Sequence, residues 1–256
     1  MKLGIIGTGN IGGALVQGLL DSKKIAATDL LVADTNANAL ARFAEQKVGT
    51  LSSNSELAQQ ADVIVLAVKP AIVESVLTEI RAALNANKIL VSVAAGVTLD
   101  AIEKMCEKTM PLFRVIPNTA LAVGQSMTFI ASSNATEQHT AIVTGLFDSA
   151  GETMFIAEEQ MMAAMALSSC GIAFAMRYVS ANMRAGVEIG FAPDVAKHIV
   201  LQTLQGAVSL LTATGAHPEA EIDRVTTPKG FTIKGLNALE HNGFSSAIID
   251  AVKVSK

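Results

Sequence analysis

The 256-residue chain has no tryptophan and one tyrosine, and aromatic residues make up only 4% of it. Its 19 Lys and Arg are outnumbered by 23 Asp and Glu, and nowhere do they gather into a basic run. Nucleic-acid recognition calls for a concentrated positive surface, so no nucleic-acid partner is expected. The only two cysteines, Cys106 and Cys170, form no CxxC pair and have no His at ligand spacing. Neither a disulfide framework nor a zinc site is therefore expected, and a reducing cytoplasm is the setting that fits. The four histidines, at 139, 198, 217 and 241, are scattered and read as surface or packing residues, leaving no metal site.

Long apolar runs are missing too. Each is broken by Gly, Asn, Gln, Ser or a charge before the roughly 18 residues of a transmembrane helix, so no membrane span is expected. The apolar start is interrupted at Gly7, Thr8, Gly9, Asn10 and Gln17, which suits a first β-strand rather than a signal peptide. Asn134-Ala135-Thr136 has the form of a glycosylation acceptor, without consequence outside the secretory route.

Apolar residues are nevertheless abundant, at 50% against 16% charged, with a mean hydropathy of +0.43. With no span to absorb them, burial between subunits is the expected sink, as a homodimer or larger homo-oligomer. The length suggests two domains, or one enlarged α/β domain. Up to about Ile156, short apolar runs alternate with helical patterns, as in parallel strands joined by crossover helices. Leu3–Ile6, Leu30–Ala33, Val63–Val68 and Ile89–Val93 read as buried strands, with Leu112–Ile116, Ser126–Ala131 and Thr153–Ile156 extending the sheet. Helical spacing falls at Asn36–Gln46, Asn54–Ala61 and Ala71–Leu84. After Glu158 the chain turns to long Ala-, Met- and Leu-rich helices, Met161–Gly190 and Pro193–Thr214 first. The expected architecture is an α/β Rossmann-type, parallel-rich sheet domain over residues 1–157, then an all-α helical domain over 158–256 for substrate binding and dimerisation.

The first strand leads into Gly7-Thr8-Gly9-Asn10-Ile11-Gly12 and then a helix. Glycines at this spacing permit a tight turn, backbone approach to a pyrophosphate and close helix–strand packing, while the helix amino end faces the phosphates. A lone Gly-x-Gly-x-x-Gly is a weak signal, but one placed at the first strand–helix turn of an alternating chain is strong. Asp34 ends the second strand 22 residues past Gly12, where a carboxylate can accept from the adenosine ribose hydroxyls. That position inclines the cofactor toward NADH. Thr35, Asn36, Asn38 and Arg42 follow and could instead receive a 2′-phosphate, so NADPH stays open; Asp34 could also simply cap the next helix.

Four further segments carry a family resemblance. Leu66-Ala67-Val68-Lys69-Pro70 and Ser92-Val93-Ala94-Ala95-Gly96 fall at strand carboxyl ends, and Arg114-Val115-Ile116-Pro117-Asn118-Thr119 follows. The fourth, His217-Pro218 followed by Val225-Thr226-Thr227-Pro228-Lys229-Gly230-Phe231-Thr232-Ile233, opens a helix. In order and spacing they resemble the pyrroline-5-carboxylate reductase family over nearly the whole chain. The resemblance implies NAD(P)H reduction of a small imine, 1-pyrroline-5-carboxylate, to L-proline. It also implies cofactor contacts from Ile6, Gly7, Gly9, Asn10, Ile11, Gly12, Asp34, Asn54, Ala67, Val68, Lys69, Pro70, Ala94, Ala95, Gly96 and Asn118. Lys229, Gly230, Phe231 and Thr232 would hold the substrate carboxylate at a helix amino end, with Thr232 hydrogen-bonding the ring nitrogen as the catalytic group. Arg114 fits an ion-pair partner equally well and is not assigned a catalytic role.

Departures fall at the substrate edge. Lys229 and Phe231 replace small residues, and Ser168-Ser169-Cys170-Gly171-Ile172 replaces the family's Ser-Gly-Ser-Gly-Pro. Two rival readings remain. One is a related reductase acting on another imine or a β-hydroxy acid, which would call for a helix-borne Lys donor. The other is a non-catalytic dinucleotide-binding regulator.

Overall fold

A computed structural model describes all 256 residues. The chain divides into two compact units, Met1–Ser169 and Cys170–Lys256.

The first unit holds one eight-stranded sheet. Its strands are β1 (Leu3–Ile6), β2 (Leu30–Ala33), β3 (Gly49–Leu51), β4 (Val63–Leu66), β5 (Ile89–Ser92), β6 (Leu112–Ile116), β7 (Ser126–Ser133) and β8 (Gly151–Phe155). They lie in the order β3-β2-β1-β4-β5-β6-β7-β8. The first six run parallel; β7 pairs antiparallel with β6, and β8 runs parallel to β7. Strands covered on both faces carry unbroken apolar runs, and β1, β2, β4 and β5 are buried at every position. The reversal of order between β1 and β4 makes a crevice at the strand carboxyl ends, where open α/β sheets take ligands.

Helices α1 (Asn10–Asp21), α2 (Ala37–Ala44), α3 (Asn54–Gln60), α4 (Val73–Ile80), α5 (Leu99–Cys106) and α6 (Glu137–Asp148) cover the sheet. Two separate apolar clusters result. One includes Leu57, Ile64, Leu77, Ile80 and Ile102; the other includes Leu15, Leu19, Val65, Phe113 and Phe147. Three elements escape the sequence pattern: edge strand β3 and helices α5 and α6. Thr98 caps α5 by accepting from the Ala101 amide. Thr136 and His139 close α6 with a reciprocal capping box, so the glycosylation-like triplet serves as a helix start.

From Glu158 to Glu188 the backbone is helical throughout: a 3₁₀ turn, α7 (Met161–Met165), a π turn over Ala166–Cys170, and α8 (Gly171–Glu188). The expectation that no segment reaches the length and apolarity of a span needs correction here. This 31-residue run has a mean hydropathy of 1.4 in its most apolar window, of which only 11% is buried. By length and composition alone it could cross a membrane. Ser168, Ser169, Gly171 and Arg177 interrupt the run locally, yet the average over it stays high.

The second unit continues with α9 (Pro193–Thr214), α10 (Pro218–Arg224), α11 (Phe231–His241) and α12 (Phe244–Val254). Helices α8, α10, α11 and α12 bury no residue within the single chain, and α9 buries only Ala196. Met176, Ile189, Phe191, Val208 and Leu210 are all exposed. Exposed apolar residues in such number are a mark of interaction surfaces.

On β6, Arg114 is 3% exposed and pairs with Glu158 at 3.0 Å; the same carboxylate oxygen accepts the Leu99 amide at the start of α5. The ion-pair reading of Arg114 therefore describes its place. Arg114→Ala leaves a largely covered carboxylate without its cation, at a cost of about 2–3 kcal/mol. Arg114→Met, which keeps most of the volume, should cost less. Urea unfolding at fixed protein concentration checks this, and a loss below about 0.5 kcal/mol for Arg114→Ala contradicts it.

Candidate cofactor site

The crevice is built around the turn from β1 into α1. Gly7 has φ +95°, a conformation that disfavours side chains, and its amide donates to Ala33 O at 2.8 Å. A Cβ on Gly12 would come within 2.0 Å of Gly7 O, so α1 can approach β1 only as bare backbone. A Cβ on Gly9 would meet nothing within 4 Å; its missing side chain leaves open space in front of the helix. Gly9 is the N-cap of α1 and supplies no side-chain cap, and the first turn contains no acid. The amides of Asn10, Ile11 and Gly12 are thus free to bind an anion, favoured by the helix dipole.

A channel of about 490 Å³ runs from this turn across the carboxyl ends of β1, β2 and β4. Ile6, Gly7, Gly9, Asp34, Asn54, Ala67, Val68 and Lys69 line it, so eight of the expected cofactor residues meet there. The Ala67 amide donates to Ile6 O at 2.8 Å and holds the β4 turn against the fingerprint. Thr35, singled out beside Asp34 in the sequence, lines the channel too, and so do residues that no sequence motif marked: Ile72, Ser75, Val76 and Glu79. Positions 72, 75–76 and 79 share one helical face, and that spacing was available in the sequence. Asn54 Nδ2 donates to Glu79 at 2.8 Å, closing the far end.

Pro70 begins the 3₁₀ turn after Lys69 and does not line the channel. Ala94, Ala95 and Gly96 follow β5, on the neighbouring strand end, with Gly96 at φ +81°. Asn118 is occupied otherwise: its Oδ1 accepts the Ala120 amide and its Nδ2 donates to Ser168 in the π turn. Ser168 in turn donates to Met127 O, and Ser169 donates to Pro117 O at 2.9 Å. The two serines of the departing segment thus tie the π turn to the loop after β6. A widened turn of this kind often accompanies functional sites.

Asp34 faces inward more than expected. Its Oδ2 accepts both the Thr8 amide at 2.6 Å and the Thr8 hydroxyl at 2.8 Å, and its Oδ1 accepts the Asn36 amide at 2.8 Å. Burial alone pushes its carboxyl up, but the donors of Thr8, Asn36 and Thr35 together outweigh it and hold the group below its usual range. The helix-capping alternative for Asp34 does not apply, because Asn36 caps α2 by accepting from Asn38 and Ala39.

In the helical unit, Thr227 to Gly230 form a tight turn closed by the Gly230 amide to Thr227 O at 2.9 Å. Lys229 occupies its left-handed position at φ +63°, which normally favours Gly or Asn. Gly230 is the N-cap of α11 without a side-chain cap, leaving the Phe231, Thr232 and Ile233 amides available; Phe231 itself is 93% exposed.

Sheet order, glycine turn and uncapped helix end make the chain a dinucleotide-binding protein of the Rossmann class. The family described as "NADP oxidoreductase coenzyme F420-dependent" matches residues 2–96, and that described as "Pyrroline-5-carboxylate reductase dimerisation" matches 158–256. Pyrroline-5-carboxylate reductase 2 of Dictyostelium discoideum is 35% identical over 99% of this chain and 90% of its own. Reductase 1 of that organism is also 35% identical, over 98% of this chain, which spans 48% of that protein's length. The NADP-bound crystal structure of Plasmodium falciparum pyrroline carboxylate reductase superposes with a TM-score of 0.93 at 31% identity, covering 100% of this chain and 95% of that one. The chain belongs to the pyrroline-5-carboxylate reductase family of oxidoreductases.

The lowered acidity of Asp34 fixes the sign of a pH effect. A carboxylate held below its unfolded value stabilises the fold above that value, near 3.8, and this contribution is lost as pH falls through the folded one. Asp34→Asn should thus be less stable than wild type at neutral pH, with the gap shrinking below about pH 4. Denaturant titrations at several pH values test this; a gap independent of pH contradicts it.

Proposed function

We propose that this chain reduces the C=N bond of 1-pyrroline-5-carboxylate with NAD(P)H to give L-proline, working in the cytoplasm as a homodimer or larger homo-oligomer. Membership of the reductase family, joined to an intact fingerprint turn, is the observation that carries this reading. When bound, the dihydronicotinamide supplies the hydride.

The chain's own residues have three tasks. The Asn10, Ile11 and Gly12 amides receive the pyrophosphate, Ala67 to Lys69 border the cofactor along the channel, and Ala94 to Gly96 border it from the neighbouring strand end, while Pro70 starts the turn behind Lys69 and Asn118 braces the loop after β6. The free amides opening α11 hold the substrate carboxylate, favoured by the helix dipole. The Thr232 hydroxyl, in the first turn of α11, donates to the ring nitrogen and polarises the imine toward attack at carbon. No nucleophile or metal is needed for such a transfer: hydride goes to carbon, and nitrogen takes its proton from solvent by way of the Thr232 hydroxyl, which also orients it. The exposed apolar faces of α8 to α12 supply the surface that a second copy would cover, as the matched dimerisation family suggests.

Cofactor oxidation at 340 nm with pyrroline-5-carboxylate, on protein whose light-scattering mass is at least twice one chain, tests the reading. Thr232→Ala should lower kcat by about 10- to 100-fold with little change in cofactor affinity. Absence of turnover from wild type with either cofactor contradicts the function, and unchanged kcat in the variant contradicts the role of Thr232.

A further inference from the structure

The loop between β5 and α5 carries Ala94, Ala95 and Gly96, and its own sequence holds it loosely. The Val93 amide donates to Leu66 O at 3.0 Å and the Ala94 amide to the Ser92 hydroxyl at 3.3 Å; beyond them, the Val97 amide reaches Ala94 O only at 3.4 Å. Gly96 turns at φ +81°, and a Cβ there would meet nothing within 4 Å, so the loop presents bare backbone to open space. A segment tied so lightly keeps one arrangement only if its far end is fixed.

That end is fixed from 59 residues away. The Leu99 amide, one of the free donors that open α5, donates to Glu158 Oε1 at 2.7 Å. The same oxygen accepts from Arg114 Nη1 at 3.0 Å. The carboxylate is thus drawn from two sides, by the positive end of α5 and by a buried guanidinium. Arg114 has no second anion: its Nη2 lies 3.8 Å from Met162 Sδ, and its Nε has no partner. Apolar packing follows the same line, since Ala94, Val97 and Leu99 share one cluster with Met161, Ala164 and Met165. Glu158 also opens the helical run that leads into the π turn, where Ser169 donates to Pro117 O. The run is therefore pinned at its start to the loop after β5 and at its end to the loop after β6.

We propose that Glu158 is a positioning residue for hydride transfer: acting through the Leu99 amide, its carboxylate holds the loop from Ala94 to Gly96 in the one arrangement that aligns the reacting end of the cofactor with the substrate. The proposal rests on the reductase reading. Affinity for the cofactor resides in the turn from β1 into α1 and in the channel, so loss of Glu158 is felt in alignment and not in binding.

Glu158→Ala, Glu158→Gln and Arg114→Ala separate the roles. Glutamine keeps an acceptor for Leu99 and Arg114 without the charge, and Arg114→Ala removes the ion pair while leaving the Leu99 bond. Glu158→Ala should lower kcat by about 10-fold or more, with NADPH affinity by calorimetric titration within about threefold of wild type. Glu158→Gln and Arg114→Ala should each keep kcat within about threefold, although Arg114→Ala unfolds at lower urea. Should Glu158→Ala not fold, Glu158→Asp, whose carboxylate falls short of Leu99, carries the same expectation. Hydrogen exchange adds a readout that needs no turnover: NADPH should slow exchange of amides 94–99 by about tenfold in wild type and by less than about threefold in Glu158→Ala. An unchanged kcat in E158A, a fall matched by R114A, or a loss of affinity as large as the loss of kcat overturns the proposal. If wild type turns over with neither NADH nor NADPH, the reductase reading fails and loop exchange decides alone. Equal protection in wild type and E158A then overturns the positioning role, and unequal protection supports it.

Discussion

The carbonyl oxygen of Gly7 lies where a Cβ on Gly12 would come within 2.0 Å, so α1 can start against the end of β1 only through bare backbone. The rest of the site follows from that approach. It sets the amides of Asn10 to Gly12 at the mouth of the crevice and keeps Gly9 clear in front of them. It also brings Thr8 to the end of β2, where Asp34 can take both its amide and its hydroxyl. A loop clamped in this way loses little further freedom when an anion binds, which is the physical benefit of preorganisation.

Much of this was legible in the sequence, because the fingerprint is a local pattern and the central strands are unbroken apolar runs. What escaped is instructive in physical terms. β3 is a three-residue edge strand, half-buried at each position and paired on one side only, so it carries no apolar run to find. Helices α5 and α6 carry both signals, caps at Thr98 and Thr136 and apolar residues at helical spacing (Leu99, Ile102, Cys106 and Val143, Leu146, Phe147), but each opens among polar residues that read equally well as loop. The position of Asp34 was readable, but its orientation was not: a carboxylate at the end of β2 can face a ribose or turn into its own loop. That choice depends on Thr8, 26 residues away in sequence.

The helical unit presents the opposite case. Its apolar excess was plain from composition, and the structure locates it on faces that the single chain leaves uncovered. The same excess lifts Glu158–Glu188 to the apolarity of a span, so hydropathy alone does not separate a lipid-facing helix from one that faces another subunit. Within that run, the change from Gly to Ser at position 169 acquires a physical meaning, since its hydroxyl secures the π turn to Pro117. No comparable role attaches to Phe231, which stands almost fully exposed in the single chain.

The central claim is that bare backbone at Gly12 makes the cofactor site, and calorimetric titration of NADPH into wild type and Gly12→Ala tests it most directly. Wild type should bind one NADPH per chain. The variant should keep its far-UV circular dichroism and bind at least about 100-fold more weakly, because the helix amides move away from the phosphates. Binding by Gly12→Ala within about threefold of wild type would contradict the account.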